Sequence, residues 1–182
     1  DGATKLFLVN ADLCLINREL RDRVLELAPD VVPQENIILT ATHNHSAQGA
    51  MVKQLIFRPI TGPFMPDVLE MTAQKFVESM KAAYANRERT AIGYSTIKQD
   101  DLSENRRVPD GKIDPQIGVI RVQDSDGAAI AILANFAAHP TSVGGDDKFA
   151  VSADYPGYYY AELERLSDPG CVAMFTNGAE GN

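Results

Sequence analysis

The first apolar positions form a continuous run, Leu6 to Val9, closed by Asn10-Ala11-Asp12. A short run without polar alternation is the pattern of a buried strand. Ile16, Leu20, Val24 and Leu27 then recur at helical spacing, and Pro29 stops that helix. Ile37 to Leu39 opens a second strand that runs into Thr40-Ala41-Thr42-His43. This β-α-β order favours a parallel pair joined by a helical crossover. Residues 46–66 contain Gly49, Pro59, Gly62, Pro63 and Pro66 and read as a long loop, the kind that serves as a lid or substrate wall. Its apolar residues Leu55, Ile56, Phe57, Phe64 and Met65 either line a greasy channel or cover the core.

The second half starts with the clearest helix, Asp67 to Tyr84. Its stripe of Leu69, Ala73, Phe76, Val77, Met80 and Tyr84 is core-facing. Thr90 to Ile97 reads as a strand, and Asp100 to Asp114 as a polar connection holding Asn105-Arg106-Arg107. Ile117–Val122 and Ala128–Ala138 are strands joined by the hairpin signal Asp124-Ser125-Asp126-Gly127. A Gly/Asp-rich loop from Pro140 to Ala150 leads to a helix opened by Asp154-Tyr155-Pro156 and ending near Pro169-Gly170. Cys171 to Phe175 is a last buried strand, emptying into Asn177-Gly178-Ala179-Glu180-Gly181-Asn182. The expected fold is α/β, with a mixed, mainly parallel β-sheet flanked by helices and long active-site loops. Residues 1–182 are expected to form a single domain. Neither end has the look of a natural terminus, so that domain is expected to be a piece of a larger catalytic domain.

Composition narrows the function. Hydrophobic residues make up 45% of the chain, enough for a buried core. Lys plus Arg number 17 and Asp plus Glu 25, a formal charge of −8, which argues against a nucleic-acid partner that needs a basic face. Cys14 and Cys171 sit in apolar runs and read as buried thiols rather than a disulfide framework. No apolar run reaches the roughly 20 residues of a membrane-spanning helix.

The chemistry lies in the histidines. There are three, and each ends a predicted strand. His43 and His45 flank Asn44, and in extended backbone positions i and i+2 face the same side. His139 ends a different strand, and ligands of open α/β sheets gather at the carboxyl ends of strands. A catalytic zinc takes about three protein ligands and leaves one position open. It polarises a carbonyl and generates a nucleophile near neutral pH. Three histidines at strand ends fit that plan. The string His43-Asn44-His45 is not the nuclease motif of the same letters, whose residues are spread along a longer unit. There is no H-E-x-x-H helix, no G-x-S-x-G elbow and no G-x-x-x-x-G-K-[ST] loop.

Four segments carry a family resemblance. Ile38-Leu39-Thr40-Ala41-Thr42-His43-Asn44-His45-Ser46 resembles the S-A-T-H-T-H-S strand and loop of neutral/alkaline non-lysosomal ceramidases. Asn135-Phe136-Ala137-Ala138-His139-Pro140-Thr141-Ser142 resembles that family's N-F-x-x-H-P-T-S block, and Ser152–Gly157 its S-x-D-x-x-G segment. Phe175–Asn182 is similar to the Gly-Asp loop that leads into the nucleophile region. The order and spacing match over nearly the whole chain. Two departures stand out. Ala47-Gln48-Gly49 replaces the family's G-P-G, and Asn182 stands where an Asp is usual.

The resemblance implies a zinc-dependent amidohydrolase cleaving the N-acyl bond of ceramide or a related lipid amide, an enzyme of sphingolipid metabolism. It implies His43 and His139 as ligands of Zn2+, with His45 and Arg106 as catalytic, substrate-contacting residues and Arg107 as the near alternative to Arg106. A further Glu and Tyr ligand and the active-site Ser would lie C-terminal to Asn182. It also implies peripheral contact with membrane lipid and a secreted or periplasmic setting. Two alternatives remain open: a hydrolase of the same fold acting on a non-lipid amide or ester, and a degenerate, non-catalytic binding domain. Asp12 is expected either to support a ligating His or to cap the next helix or turn. Asp146 and Asp147 belong to the loop after His139, Asp154 is expected to be an N-cap, and Tyr158-Tyr159-Tyr160 to pack a helix.

Overall fold

A computed structural model describes residues 4–143 and 150–181. Asp146 and Asp147 lie outside the described residues. Contacts divide the chain into two compact units. The first comprises Asp1–Ala11, Leu15–Thr40 and Gln48–Arg87, and the second Asp12–Cys14, Ala41–Ala47 and Glu88–Asn182.

β1 (Phe7–Ala11) pairs with β2 (Ile37–Ala41) in a two-stranded sheet, whose residues up to Thr40 belong to the first unit. The helix between them, α1 (Arg18–Leu27), is capped by Asn17, whose side-chain oxygen accepts the Leu20 N–H at 2.9 Å. Leu20 and Val24 from the expected stripe are fully buried. The residue after α1, Ala28, is extended because Pro29 follows it. The long helix α3 (Pro66–Ala85) has Pro66 in its first turn and buries Leu69, Thr72, Ala73, Phe76, Val77 and Met80. Arg23 and Glu70 join α1 to α3 by a bidentate pair of 2.7 and 3.0 Å.

The segment expected as a loop before α3 contains two helical turns: a 3₁₀ turn, Leu55–Phe57, and the four-residue helix α2 (Arg58–Thr61). The segment is pinned where the Ala50 N–H donates to Thr61 O and the Met65 N–H to Ala50 O. Gly49 is required there, since a Cβ would lie 2.4 Å from Thr61 O. Leu55, Ile56 and Ile60 are 78%, 80% and 86% exposed, so they do not cover a core among the described residues.

The second unit is built on a four-stranded sheet in the order β3 (Ala91–Lys98), β4 (Gln116–Gln123), β5 (Ala129–Phe136), β6 (Val172–Asn177). The expected mixed sheet is present, and in it antiparallel pairing has the greater weight. β3–β4 and β4–β5 are antiparallel, and β5–β6 is parallel. The β4–β5 hairpin closes as its turn residues dictate. The Asp124 carboxylate accepts the N–H groups of Asp126 and Ala128, and Gly127 takes φ +88°.

The crossover from β5 to β6 passes through α4 (Asp154–Leu166). Ala134, Phe136 and Phe175 form a cluster on one face of the sheet, covered by Tyr155, Tyr159 and Tyr160. The expected packing role of the tyrosine run therefore holds for Tyr159 and Tyr160, while Tyr158 is exposed.

Candidate functional site

His43 and His45 follow the end of β2, and His139 follows β5; all three lie in the second unit. Two asparagines hold the strand exits together. Asn44 is buried between the histidines. Its amide nitrogen donates to Ser152 O at 2.5 Å, its side-chain oxygen accepts the Ser46 N–H at 2.8 Å, and its own N–H donates to Leu13 O. From the end of β6, Asn177 donates to Thr42 O at 2.8 Å and accepts the Ala138 N–H at 3.3 Å. Sequence reading names the Asn177-Gly178 turn but assigns neither asparagine a role. The clue lies in their positions, each beside a strand end that carries chemistry.

The backbone at His43 corrects the expected extended i, i+2 geometry. His43 has φ +62°, the left-handed region that a non-glycine residue rarely occupies. The two rings still meet, because that turn brings them together edge to face with centroids 4.9 Å apart.

The three imidazoles cluster, with His45 in reach of both others. His45 Nε2 lies 3.2 Å from His43 Nε2 and 3.1 Å from His139 Nε2. The His43 and His139 rings are 4.6 Å apart. Nitrogens about 2.0–2.1 Å from a tetrahedral zinc sit roughly 3.3–3.4 Å from one another, and the two separations from His45 are close to that. Neutral imidazole also suits zinc among the first-row metals.

The far side of each ring separates the three. His43 Nδ1 donates to the Cys14 carbonyl at 2.8 Å, which leaves Nε2 as the free lone pair. His139 Nδ1 faces two acceptors, the Glu180 carbonyl at 2.9 Å and the Glu180 carboxylate Oε2 at 2.7 Å. Arg106 Nη2 is also near Nδ1, at 3.4 Å. The carbonyl is the closer hydrogen-bond partner and the carboxylate adds negative charge beside it, so Nδ1 carries the hydrogen and Nε2 is again free. His45 has no such anchor on Nδ1 among the described residues. It is also the most exposed of the three. Burial, then the neighbouring His43, His139 and Arg106 charges, holds its pKa below the ordinary histidine value and favours the neutral ring.

Of the arginine pair, Arg106 reaches the cluster. Arg107 appears only through its backbone N–H, which Asn105 Oδ1 accepts at 3.1 Å. Asp12 takes neither expected role. Its carboxylate accepts the Tyr160 hydroxyl at 3.0 Å and contacts no histidine among the described residues, while α1 is capped by Asn17. Burial raises the Asp12 pKa against the lowering effect of that hydroxyl.

Asp154 is the first residue of α4, at φ +57°, so it is not the expected N-cap; Ala153 takes that place, with no side-chain cap. The buried Asp154 carboxylate accepts N–H groups from Tyr155 at 2.7 Å, Val143 at 2.9 Å and Ser142 at 3.2 Å, tying the segment after His139 to the helix start. Burial pushes its pKa up, but these backbone donors prevail and hold it below the usual value. Both cysteines are free thiols. Cys14 Sγ lies 3.9 Å from His43 Nδ1, and burial raises its pKa.

Histidines gathered just after the ends of strands β2 and β5 are the layout of a ligand-binding site of the α/β class. The chain belongs to the neutral/alkaline non-lysosomal ceramidase family, whose N-terminal region matches residues 1–182. It is 26% identical to a neutral ceramidase of Mycobacterium tuberculosis over 91% of this chain and 28% of that protein. It is 26% identical to one of Pseudomonas aeruginosa over 98% of this chain and 29% of that protein. The crystal structure of the Pseudomonas aeruginosa neutral ceramidase superposes with a TM-score of 0.85 at 26% identity, covering 95% of this chain and 30% of that one. A ceramidase complexed with C2 superposes with a TM-score of 0.82 at 25% identity, covering 92% of this chain and 29% of that one. The chain thus spans about three tenths of the length of these relatives.

Proposed function

We propose that the chain carries part of the zinc site of an amidohydrolase that cleaves the N-acyl bond of ceramide or a related lipid amide. The observation that carries this reading is the convergence of His43, His45 and His139 through Nε2, with two of the rings anchored behind by an acceptor on Nδ1. Ligating histidines almost always show that anchor. His43 and His139 are therefore the ligands, and unanchored, exposed His45 faces the substrate together with Arg106. A bound zinc supplies polarisation of the amide carbonyl and an activated nucleophile. The Arg106 guanidinium offers N–H donors where negative charge develops on the carbonyl oxygen, and neutral His45 holds or receives a proton beside it. Family membership and the names of the relatives support ceramide as the substrate class. In this reading residues 1–182 are one piece of a larger catalytic domain.

The replacement of G-P-G by Ala47-Gln48-Gly49 directly after His45-Ser46 favours a second reading, in which the substrate is a non-lipid amide or ester. Two experiments on the full-length protein test these readings. Metal analysis of His43→Ala and His139→Ala should show loss of zinc, and stoichiometric zinc in both variants would sink the site. Assays with labelled ceramide and with short N-acyl amides separate the substrates. Turnover of the short amides alone favours the second reading.

A further inference from the structure

We propose that Glu180 is a positioning residue for His139, its carboxylate charge strengthening that ring as a metal ligand. The inference rests on the zinc reading above. Glu180 is itself near enough to be considered a ligand, since it, His43 and His139 have donor atoms within 4.8 Å of one another. The ring geometry argues against that role. His139 Nε2 faces the cluster, 3.1 Å from His45 Nε2, whereas Glu180 Oε2 lies 2.7 Å from Nδ1. The two ring nitrogens point away from each other, so the carboxylate stands behind the ligand.

Two further facts make this a built contact. Glu180 Oε2 is buried and has no hydrogen-bond partner among the described residues, so its charge acts on the His139 ring 2.7 Å away. Both side chains are largely shielded, at 13% and 17% exposure, so water screens the pair weakly. The Glu180 carbonyl alone, at 2.9 Å, fixes the tautomer. The carboxylate adds negative charge beside the Nδ1 hydrogen, which makes Nε2 a better donor to a cation. It also offsets Arg106, whose Nη2 lies 3.4 Å from the same nitrogen and pulls the tautomer the other way.

The test compares full-length wild type with Glu180→Gln and Glu180→Ala. Zinc affinity is measured by competition with a chelator, and the His139 Nδ1–H proton resonance is followed by NMR in zinc-free protein. Glu180→Ala should weaken zinc binding by about 10–100-fold, with the isosteric Glu180→Gln weaker than wild type by a smaller factor. The Nδ1–H resonance should move upfield in both, as the N–H loses the negative charge beside it. Glu180→Gln keeps size and hydrogen-bonding capacity, so a purely structural role would leave it like wild type. A Glu180→Gln protein with wild-type zinc affinity and an unmoved resonance overturns the inference. His139→Ala is the control for the underlying reading. Its retention of zinc would remove the site itself, whereas its loss of zinc beside an unaffected Glu180→Gln removes only the role of Glu180.

Discussion

Asn177 donates to the Thr42 carbonyl at 2.8 Å and accepts the Ala138 N–H at 3.3 Å, so one side chain joins the backbone just before His43 to the backbone just before His139. Replacing it with Ala should leave a buried carbonyl and a partly buried N–H without partners, at a cost of about 1–3 kcal/mol. Urea unfolding should show the loss as a lower midpoint. Zinc titration should show weaker binding in a protein that still folds. Unchanged zinc affinity would mean that the two strand ends hold their spacing without it.

Asp154 makes stability depend on pH. Its carboxylate accepts three backbone N–H groups, which keeps its folded pKa below the ordinary 3.8. A depressed folded value means that the stabilisation is present above the unfolded pKa and is lost as pH falls through the folded one. Asp154→Ala should cost on the order of 3 kcal/mol at neutral pH, since hydrogen bonds to a charged group are the strong ones. The gap between wild type and variant should narrow in strongly acidic solution. Chemical unfolding at neutral pH and well below 3.8 checks the sign.

Leu20 is fully buried on α1. Truncation to Ala should cost about 2–5 kcal/mol, depending on how far the neighbours close over the space. A thermal or urea midpoint unchanged from wild type would show that this helix face is not packed as described.

Arg106 and Arg107 are adjacent, yet only Arg106 reaches His139. If Arg106 contacts the reacting carbonyl, Arg106→Ala should lower kcat/KM by about 10–100-fold, the loss of one charged hydrogen bond. Arg107→Ala should stay close to wild type. Equal losses in the two variants would point to general charge rather than a placed donor.

Much of this arrangement is readable from the chain. The α1 stripe, the α3 stripe and the hairpin signal at residues 124–127 each follow from local rules, and each element forms where its pattern puts it. The spacing of the histidines at strand ends anticipates their convergence. What escaped has a common cause. The helical turns at residues 55–61 are too short to show a period. The weight of antiparallel pairing depends on which strands become neighbours, a long-range choice. The roles of Asn44, Asn177 and Glu180 arise from contacts across many residues, such as the 135 that separate Asn177 from Thr42. Their side chains serve backbone groups or the His139 ring, so position beside a strand end is the one clue the sequence holds.

The left-handed backbone at His43 sets fold stability against chemistry at a single position. Such a conformation costs an L-residue with a Cβ on the order of 1–2 kcal/mol, and glycine almost nothing. His43→Gly would relieve that strain while giving up the Nδ1 hydrogen bond to Cys14 and a donor of the cluster. Under the zinc reading, directed evolution of this chain has to screen metal binding alongside melting temperature, because relief of the strain at residue 43 removes a proposed ligand.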